Sequence, residues 1–260
     1  MLTVLRKIRK TLINSGSTRR YALYAIGEIA LVVIGILIAV QINNWNTERI
    51  ERKEEQLYLK RMVQDLEQDL INMKGCLTNH ENRLVFGAEI LQIMKEPHYS
   101  KVVEWEGYVE AVEKFDDQLF VDNPSFAEQI FEVLKITMFH TTDNTFQELI
   151  STGKIDIIND QELKDQILNH YPMVRRRISF QDRIVFTVQS NYRNAMEKSG
   201  ISYLSEASYE ELVRDGLDQQ YFTVNLENYL SLTQGFISSL NEMERKTGQL
   251  IEVIKSHIDE

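Results

Sequence analysis

YALYAIGEIALVVIGILIAVQI, residues 21–42, decides how this chain is read. Twenty-two helical residues rise about 33 Å, and the hydrocarbon core of a bilayer is about 30 Å thick. Glu28 and Gln41 are the only strongly polar residues in the run. A span starting after Glu28 would reach only about 21 Å, too short to cross, so Glu28 is expected inside the membrane, about 10 Å from Tyr21. A cleaved signal peptide is the competing reading. The apolar core runs out through LIAVQINNWN, residues 37–46, without the small-x-small pattern that cleavage requires, and its basic lead is long. An uncleaved anchor is therefore expected.

Charge divides at this run. Residues 1–20 hold six bases (Arg6, Lys7, Arg9, Lys10, Arg19, Arg20) and no acid. Residues 43–260 hold 23 bases and 38 acids, a balance of 23 − 38 = −15. By the positive-inside rule the N-terminus faces the cytoplasm and residues 43–260 lie outside. Arg19, Arg20, Tyr21 and Trp45 are the expected interface anchors, and the lipid bilayer is the first expected partner. Leu2, Leu5, Ile8 and Leu12 recur at 3–4 residue spacing among the bases, which suits either a short helix on the anionic inner leaflet or a frayed tail. The total charge of −10 argues against a nucleic-acid partner.

At 100° per residue, Tyr24, Glu28, Gly35, Ala39, Ile42 and Asn46 share one face of the span, bordered by Gly27 and Leu31. The opposite face is Ile29, Val33, Ile36 and Val40, all branched and suited to lipid. Gly35-xxx-Ala39 permits close helix approach. An intramembrane carboxyl is costly unless it faces protein or water. The face formed by Tyr24, Gly27, Glu28, Leu31, Gly35 and Ala39 is thus the expected interface for self-association or for another membrane protein. Two readings of Glu28 stay open: a proton carrier or partner to a base, and a neutral or locally bonded carboxyl that snorkels to the inner surface.

The stretch Tyr24-Ala25-Ile26-Gly27-Glu28-Ile29, with Leu37 through Gln41-Ile42-Asn43-Asn44-Trp45-Asn46, resembles the signature of an uncharacterised bacterial family of single-span membrane proteins, frequent in Bacteroidetes. Phe146-Gln147-Glu148-Leu149-Ile150-Ser151-Thr152-Gly153-Lys154-Ile155, then Ile158 to Leu163 and His170-Tyr171, is similar to its middle region of helix, Ser/Thr-Gly-Lys turn and helix. The resemblance implies a bacterial inner-membrane protein with residues 43–260 in the periplasm. It implies no activity.

Beyond the span, residues 47–56 read as a polar stalk. Leu59, Met62, Leu66, Leu70, Met73 and Leu77 form an amphipathic stripe, with Gly75 the first expected interruption. Further stripes are expected over Leu84 to Met94, Val102 to Phe120, Phe126 to Met138 (opened by a Ser125 cap), Phe146 to Ile150, Asn159 or Asp160 to Pro172, Phe180 to Met196 ending at Gly200, and Leu226 to Ile258. The last is long enough to run antiparallel to the first. Ile155 to Ile158 reads as a turn. Scarce glycine (11) and proline (3) agree with long helices. The expected fold is all-α: a single N-terminal transmembrane helix continuing into an extracytoplasmic α-helical bundle with long first and last helices. The expected divisions are a cytoplasmic segment 1–20, a span 21–42 and one helical domain 43–260, with a split near residues 198–220 as the alternative.

No pattern carries catalysis. His80, His98, His140, His170 and His257 are widely spaced, and zincin, di-iron, phosphate-loop and nucleophile-elbow motifs are missing from the sequence. No catalytic residue, metal site or cofactor is expected. The single cysteine, Cys76, is expected to be a packed thiol, with interchain pairing open to it. Arg175-Arg176-Arg177 is the one basic cluster in an acidic region, expected to be an ion-paired face, with an anion or acidic-partner site as the minor reading. Residues 110–117 are expected to be a solvated acidic face. The function expected is a membrane-anchored interaction or scaffold protein, not an enzyme. The alternative is a proton-coupled single-span subunit of a larger membrane complex that uses Glu28.

Overall fold

No proline or other effective breaker interrupts residues 18–93, and they form one very long helix, α1, over Thr18–Ile93. The computed structural model describes residues 18–95, 102, 104–105, 108, 112, 126–135, 138–202 and 207–258. The remaining helices are α2 (Phe126–Leu134), α3 (Asn144–Ser151), α4 (Gln161–Lys198), α5 (Tyr209–Arg214) and α6 (Gln219–Ile258). A 3₁₀ turn at Lys154–Ile157 follows α3, where a turn is expected. Among the described residues there is no strand. The basic segment 1–17, the side chains of residues 18–21 and 24, the Ser125 cap, and most of residues 102–120 lie outside what is described.

The chain divides into two compact units, Met1–Leu57 and Tyr58–Glu260. In the first, the apolar part of α1 stands without cover. None of its most apolar 18-residue window is buried, and it is long and apolar enough to cross a membrane. Residues 43–57 group with this unit.

In the second unit, three long stretches carry the core: α1 from Tyr58, α4 and α6. Pairs between α1 and α6 run in opposite senses. Lys255 meets Glu67 at 2.8 Å, Lys74 meets Glu244 at 3.9 Å, and Gly87 packs on Leu230. The pairs between α4 and α6 do the same: Asp160 with His257 (3.7 Å), Arg177 with Glu242 (2.6 Å), and Tyr192 with Tyr229 (ring centroids 5.7 Å). The last helix is therefore antiparallel to both others. One apolar cluster gathers Leu59, Met62, Leu66, Phe146, Tyr171 and Ile254. The other gathers Leu84, Ile130, Tyr192, Phe222 and Leu240, and continues through Ile201, Leu212 and Leu217, so packing crosses the 198–220 stretch.

Several expected boundaries move. α1 runs through Gly75, because a glycine in a helix costs only about 1 kcal/mol and Met73, Cys76 and Leu77 around it are buried. The Leu84 to Met94 stripe belongs to the same helix. α4 likewise runs through Pro172. Proline in a helix costs about 3 kcal/mol, but Ile167, Tyr171 and Val174 flank it fully buried. α2 stops at Leu134 short of Met138, and its freed terminal carbonyls are taken by side chains of α1 and α4, Arg83 on Val133 O and Gln189 on Leu134 O. The stripe on α4 also shifts. Phe180 is 58% exposed, and the buried line runs through Gln181, Val185, Gln189, Tyr192 and Met196. Gln189 is inside because its Nε2 donates to Leu134 O at 2.8 Å. On α3, Ile150 points out while Phe146 and Leu149 are buried.

The helix ends follow local chemistry. Asp160 caps α4 by accepting from Leu163 N at 2.7 Å. Ser208 and Glu211 form a reciprocal capping box at α5. Gly153, at φ 70°, takes the left-handed turn after α3 that a side chain would resist.

Candidate functional site

Two features were singled out by sequence: the face of the apolar helix and the middle segment. In the first unit, Gly27, Leu31, Gly35 and Ala39 are exposed, as are Ile29, Val33, Ile36 and Val40 on the opposite face. A Cβ placed on Gly27 or Gly35 meets nothing within 4 Å. Glu28 is only partly exposed and lines a shallow hollow with Ala25, Ile29, Val32 and Val33. Ala39 and Trp45 share a second hollow with Ile42, Asn43, Asn46 and Arg49. The first hollow thus sets Glu28 beside Ile29 and Val33 of the other face, while the second lies on the predicted one. Trp45 is 69% exposed. The side chains of Arg19, Arg20, Tyr21 and Tyr24 lie outside the described residues.

The middle segment is a clamp built from its own motif residues. Asp69 of α1, fully buried, accepts from Thr141 Oγ1 and from Thr142 N, both at 2.5 Å. Asp65, one turn earlier, accepts from Thr145 N at 3.0 Å. Burial raises the Asp69 carboxyl above its ordinary range, against the pull of these bonds. Phe146 stacks on Tyr171 with ring centroids 4.3 Å apart. Glu148 accepts from Tyr58 Oη at 2.8 Å and from Arg61 at 2.6 Å, and the Arg61 contact holds its carboxyl below the usual range. Lys154 lies 5.6 Å from the Tyr58 ring centre. The Phe-Gln-Glu-Leu helix and the Ser-Thr-Gly-Lys turn thus fasten the segment to α1 and α4.

Arg83, nine-tenths buried or more, is a feature the sequence did not reveal. Its Nε donates to Val133 O at 2.8 Å, a second nitrogen donates to Lys135 O, and a third to His80 Nδ1 at 2.6 Å. Its guanidinium lies 5.1 Å from the Tyr229 ring centre. Among the described residues it has no carboxylate partner. The carbonyl end of α2 and the ring face stand in for one. His80 must accept on Nδ1, so its proton sits on Nε2. Burial, then the Arg83 charge, lowers its pKa to about 3.

The arginine triplet separates. Arg175 pairs with Asp143, its Nε at 2.7 Å, and lies 5.7 Å from the Phe146 ring centre. Arg177 pairs with Glu242. Arg176 is exposed and carries no hydrogen bond or ion pair among the described residues. Cys76 is buried, and burial raises its thiol pKa. Among the described residues no group of three His, Cys, Asp or Glu is placed to hold a metal ion.

These features define an all-helical protein with a long apolar N-terminal helix and a helical bundle behind it. Residues 28–198 match the model of DUF6090, a family of unknown function, and the chain belongs to that family. The match begins at Glu28, includes the clamp and ends with the last residue of α4. No curated protein and no solved structure matches the chain.

Proposed function

We propose that the protein is a membrane-anchored interaction module of the bacterial inner membrane. Residues 21–42 cross the bilayer, residues 1–20 remain in the cytoplasm, and residues 43–260 stand in the periplasm. The module works by contact rather than by catalysis. The face of Tyr24, Gly27, Glu28, Leu31, Gly35 and Ala39 meets a second copy or another membrane protein.

One observation carries this reading. Ile29 (64%), Leu31 (74%) and Ile36 (58%) are largely exposed on a helix of spanning length, whereas the bundle buries its apolar residues. A folded chain that hides Leu59, Met62 and Leu66 completely does not leave some twenty apolar residues bare in water. Lipid is the solvent that fits them. The basic lead and acidic body then set the orientation.

The second reading, a proton-coupled subunit, draws on Glu28. It is an ionisable group set among Ala25, Ile29, Val32 and Val33.

The test is alkaline carbonate extraction of membranes, with protease added to spheroplasts. The anchored reading expects the chain to resist extraction and its bundle to be cut from outside. Release by carbonate overturns the anchor, and protection of the bundle overturns the orientation. Normal growth and partner recovery with Glu28→Gln would remove the proton-coupled reading.

A further inference from the structure

We propose that the bundle binds a small anionic, hydroxyl-bearing molecule in the hollow between α4 and α6. The hollow measures about 470 Å³ and lies within the Tyr58–Glu260 unit. That volume is in the range of small-molecule sites. The proposal does not rest on the membrane reading.

The chemistry of the lining points to the ligand. Arg176 and Lys246 face it from α4 and α6, and no carboxylate lines it among the described residues. Glu242, outside the lining, bonds Lys246 at 2.9 Å and Arg177 at 2.6 Å, so one carboxylate serves two cations. The lining itself carries two cations and no carboxylate among the described residues, on a chain whose net charge is −10. A local positive field on an acidic protein attracts an anion. Arg176 offers the planar fork that suits a phosphate or carboxylate.

Polar side chains add to the lining. His170 is 6% exposed, and its Nε2, itself shut off from solvent, has no hydrogen-bond partner among the described residues. Buried polar atoms are rarely left so without a reason, since a buried group that makes no hydrogen bond has lost its water for nothing. Gln166 and Asn169 add carboxamides free of hydrogen bonds to described residues, each able to donate to and accept from a hydroxyl. Met173 and Leu250 complete the lining with apolar surface. Cationic heads, spare carboxamides and a short apolar wall fit a phosphorylated or carboxylated polyol.

The experiment uses the full chain in neutral-lipid nanodiscs, with the histidine imidazoles labelled for NMR. Inorganic phosphate, glucose 6-phosphate and glucose are titrated in turn, and calorimetry gives the affinities. The expected result is saturable binding of glucose 6-phosphate, weaker binding of phosphate, and none of glucose, with the His170 signal moving and that of His80 still. Arg176→Glu and Lys246→Glu each weaken binding on the order of tenfold or more. Arg193→Glu, exposed on α4 about 25 Å along the helix from Arg176, leaves it unchanged. Circular dichroism checks that each variant is folded. Lack of saturable binding of either anion, a stationary His170 signal, or an equal loss in Arg193→Glu overturns the proposal.

Discussion

Two glycines of the same helix should respond in opposite ways to the same substitution. At Gly75 a Cβ meets nothing within 4 Å. Gly75→Ala therefore gains only helix propensity, about 0.5–1 kcal/mol. At Gly87 the Cβ would lie 2.3 Å from Leu230 Cδ2, 2.7 Å from Cδ1 and 3.0 Å from Cγ. Carbon atoms pack at about 3.5 Å or more, so Leu230 or its helix must give by 3.5 − 2.3, about 1.2 Å. Leu230 is completely buried and has no open side to turn into. Overpacking of this kind costs about 1–3 kcal/mol. The propensity gain is common to both sites, so the gap between the two variants is the overpacking cost itself, about 1–3 kcal/mol. Urea titration of the full chain in mild detergent, followed by far-UV circular dichroism, reads it. Leu230→Ala alone should cost about 2–5 kcal/mol. Combined with Gly87→Ala it should cost less than the sum, because the clash has gone. Equal stabilities for Gly75→Ala and Gly87→Ala, or additive costs in the double variant, would refute the close approach of α1 and α6.

Three further outcomes are expected. Burial and the neighbouring charges of Arg83 and Lys246 hold His80 at about 3 and His170 at about 4, while the unfolded chain titrates near 6.5. Below pH 6.5 the unfolded chain takes up protons that the folded one does not, so stability falls through about pH 4 for His170 and about pH 3 for His80. At pH 5 the loss is about 2 kcal/mol per histidine, and His170→Gln should remove its share when urea titrations at pH 7 and pH 5 are compared. Phe146→Ala removes a side chain 5% exposed and stacked on Tyr171, and should destabilise the bundle by about 3–5 kcal/mol in the same titration. Tyr192→Phe deletes a buried hydroxyl that has no hydrogen-bond partner, so thermal melting should find the variant as stable as the parent or more so.

The long helices are legible in the sequence because their apolar spacing is regular. Leu59, Met62, Leu66 and Met73 on α1, and Leu226, Tyr229, Leu240 and Ile254 on α6, are buried as their periodicity predicts. Gly75 and Pro172 mislead because a local penalty of a few kcal/mol is outweighed by burial on either side. The polar core positions are not legible at all. Asp69, Arg83, Gln189 and Thr233 are inside because each meets a main-chain group, and only Thr233 finds its partner nearby, bonding Tyr229 O at 2.9 Å. For the other three the partner lies 50 or more residues away. Phe180 reads as core for the complementary reason: nothing in its own segment shows that Gln181 has a better use of the interior. As for the candidate sites, the apolar helix is visible in twenty-two letters. The hollow is not, since His170 and Lys246 meet only after α4 and α6 pack.

In-cell photo-crosslinking along the apolar helix tests the central claim most directly. A crosslinking residue is placed at Ala39, on the face carrying Glu28 and Gly35, and at Leu37, about 160° around the helix from it. Both positions are exposed along the bare helix. An anchored module that works through one face predicts protein crosslinks, to itself or to a membrane partner, from residue 39 and not from residue 37. Equal crosslinking from both positions, or none from residue 39 in membranes that retain the chain, would contradict it.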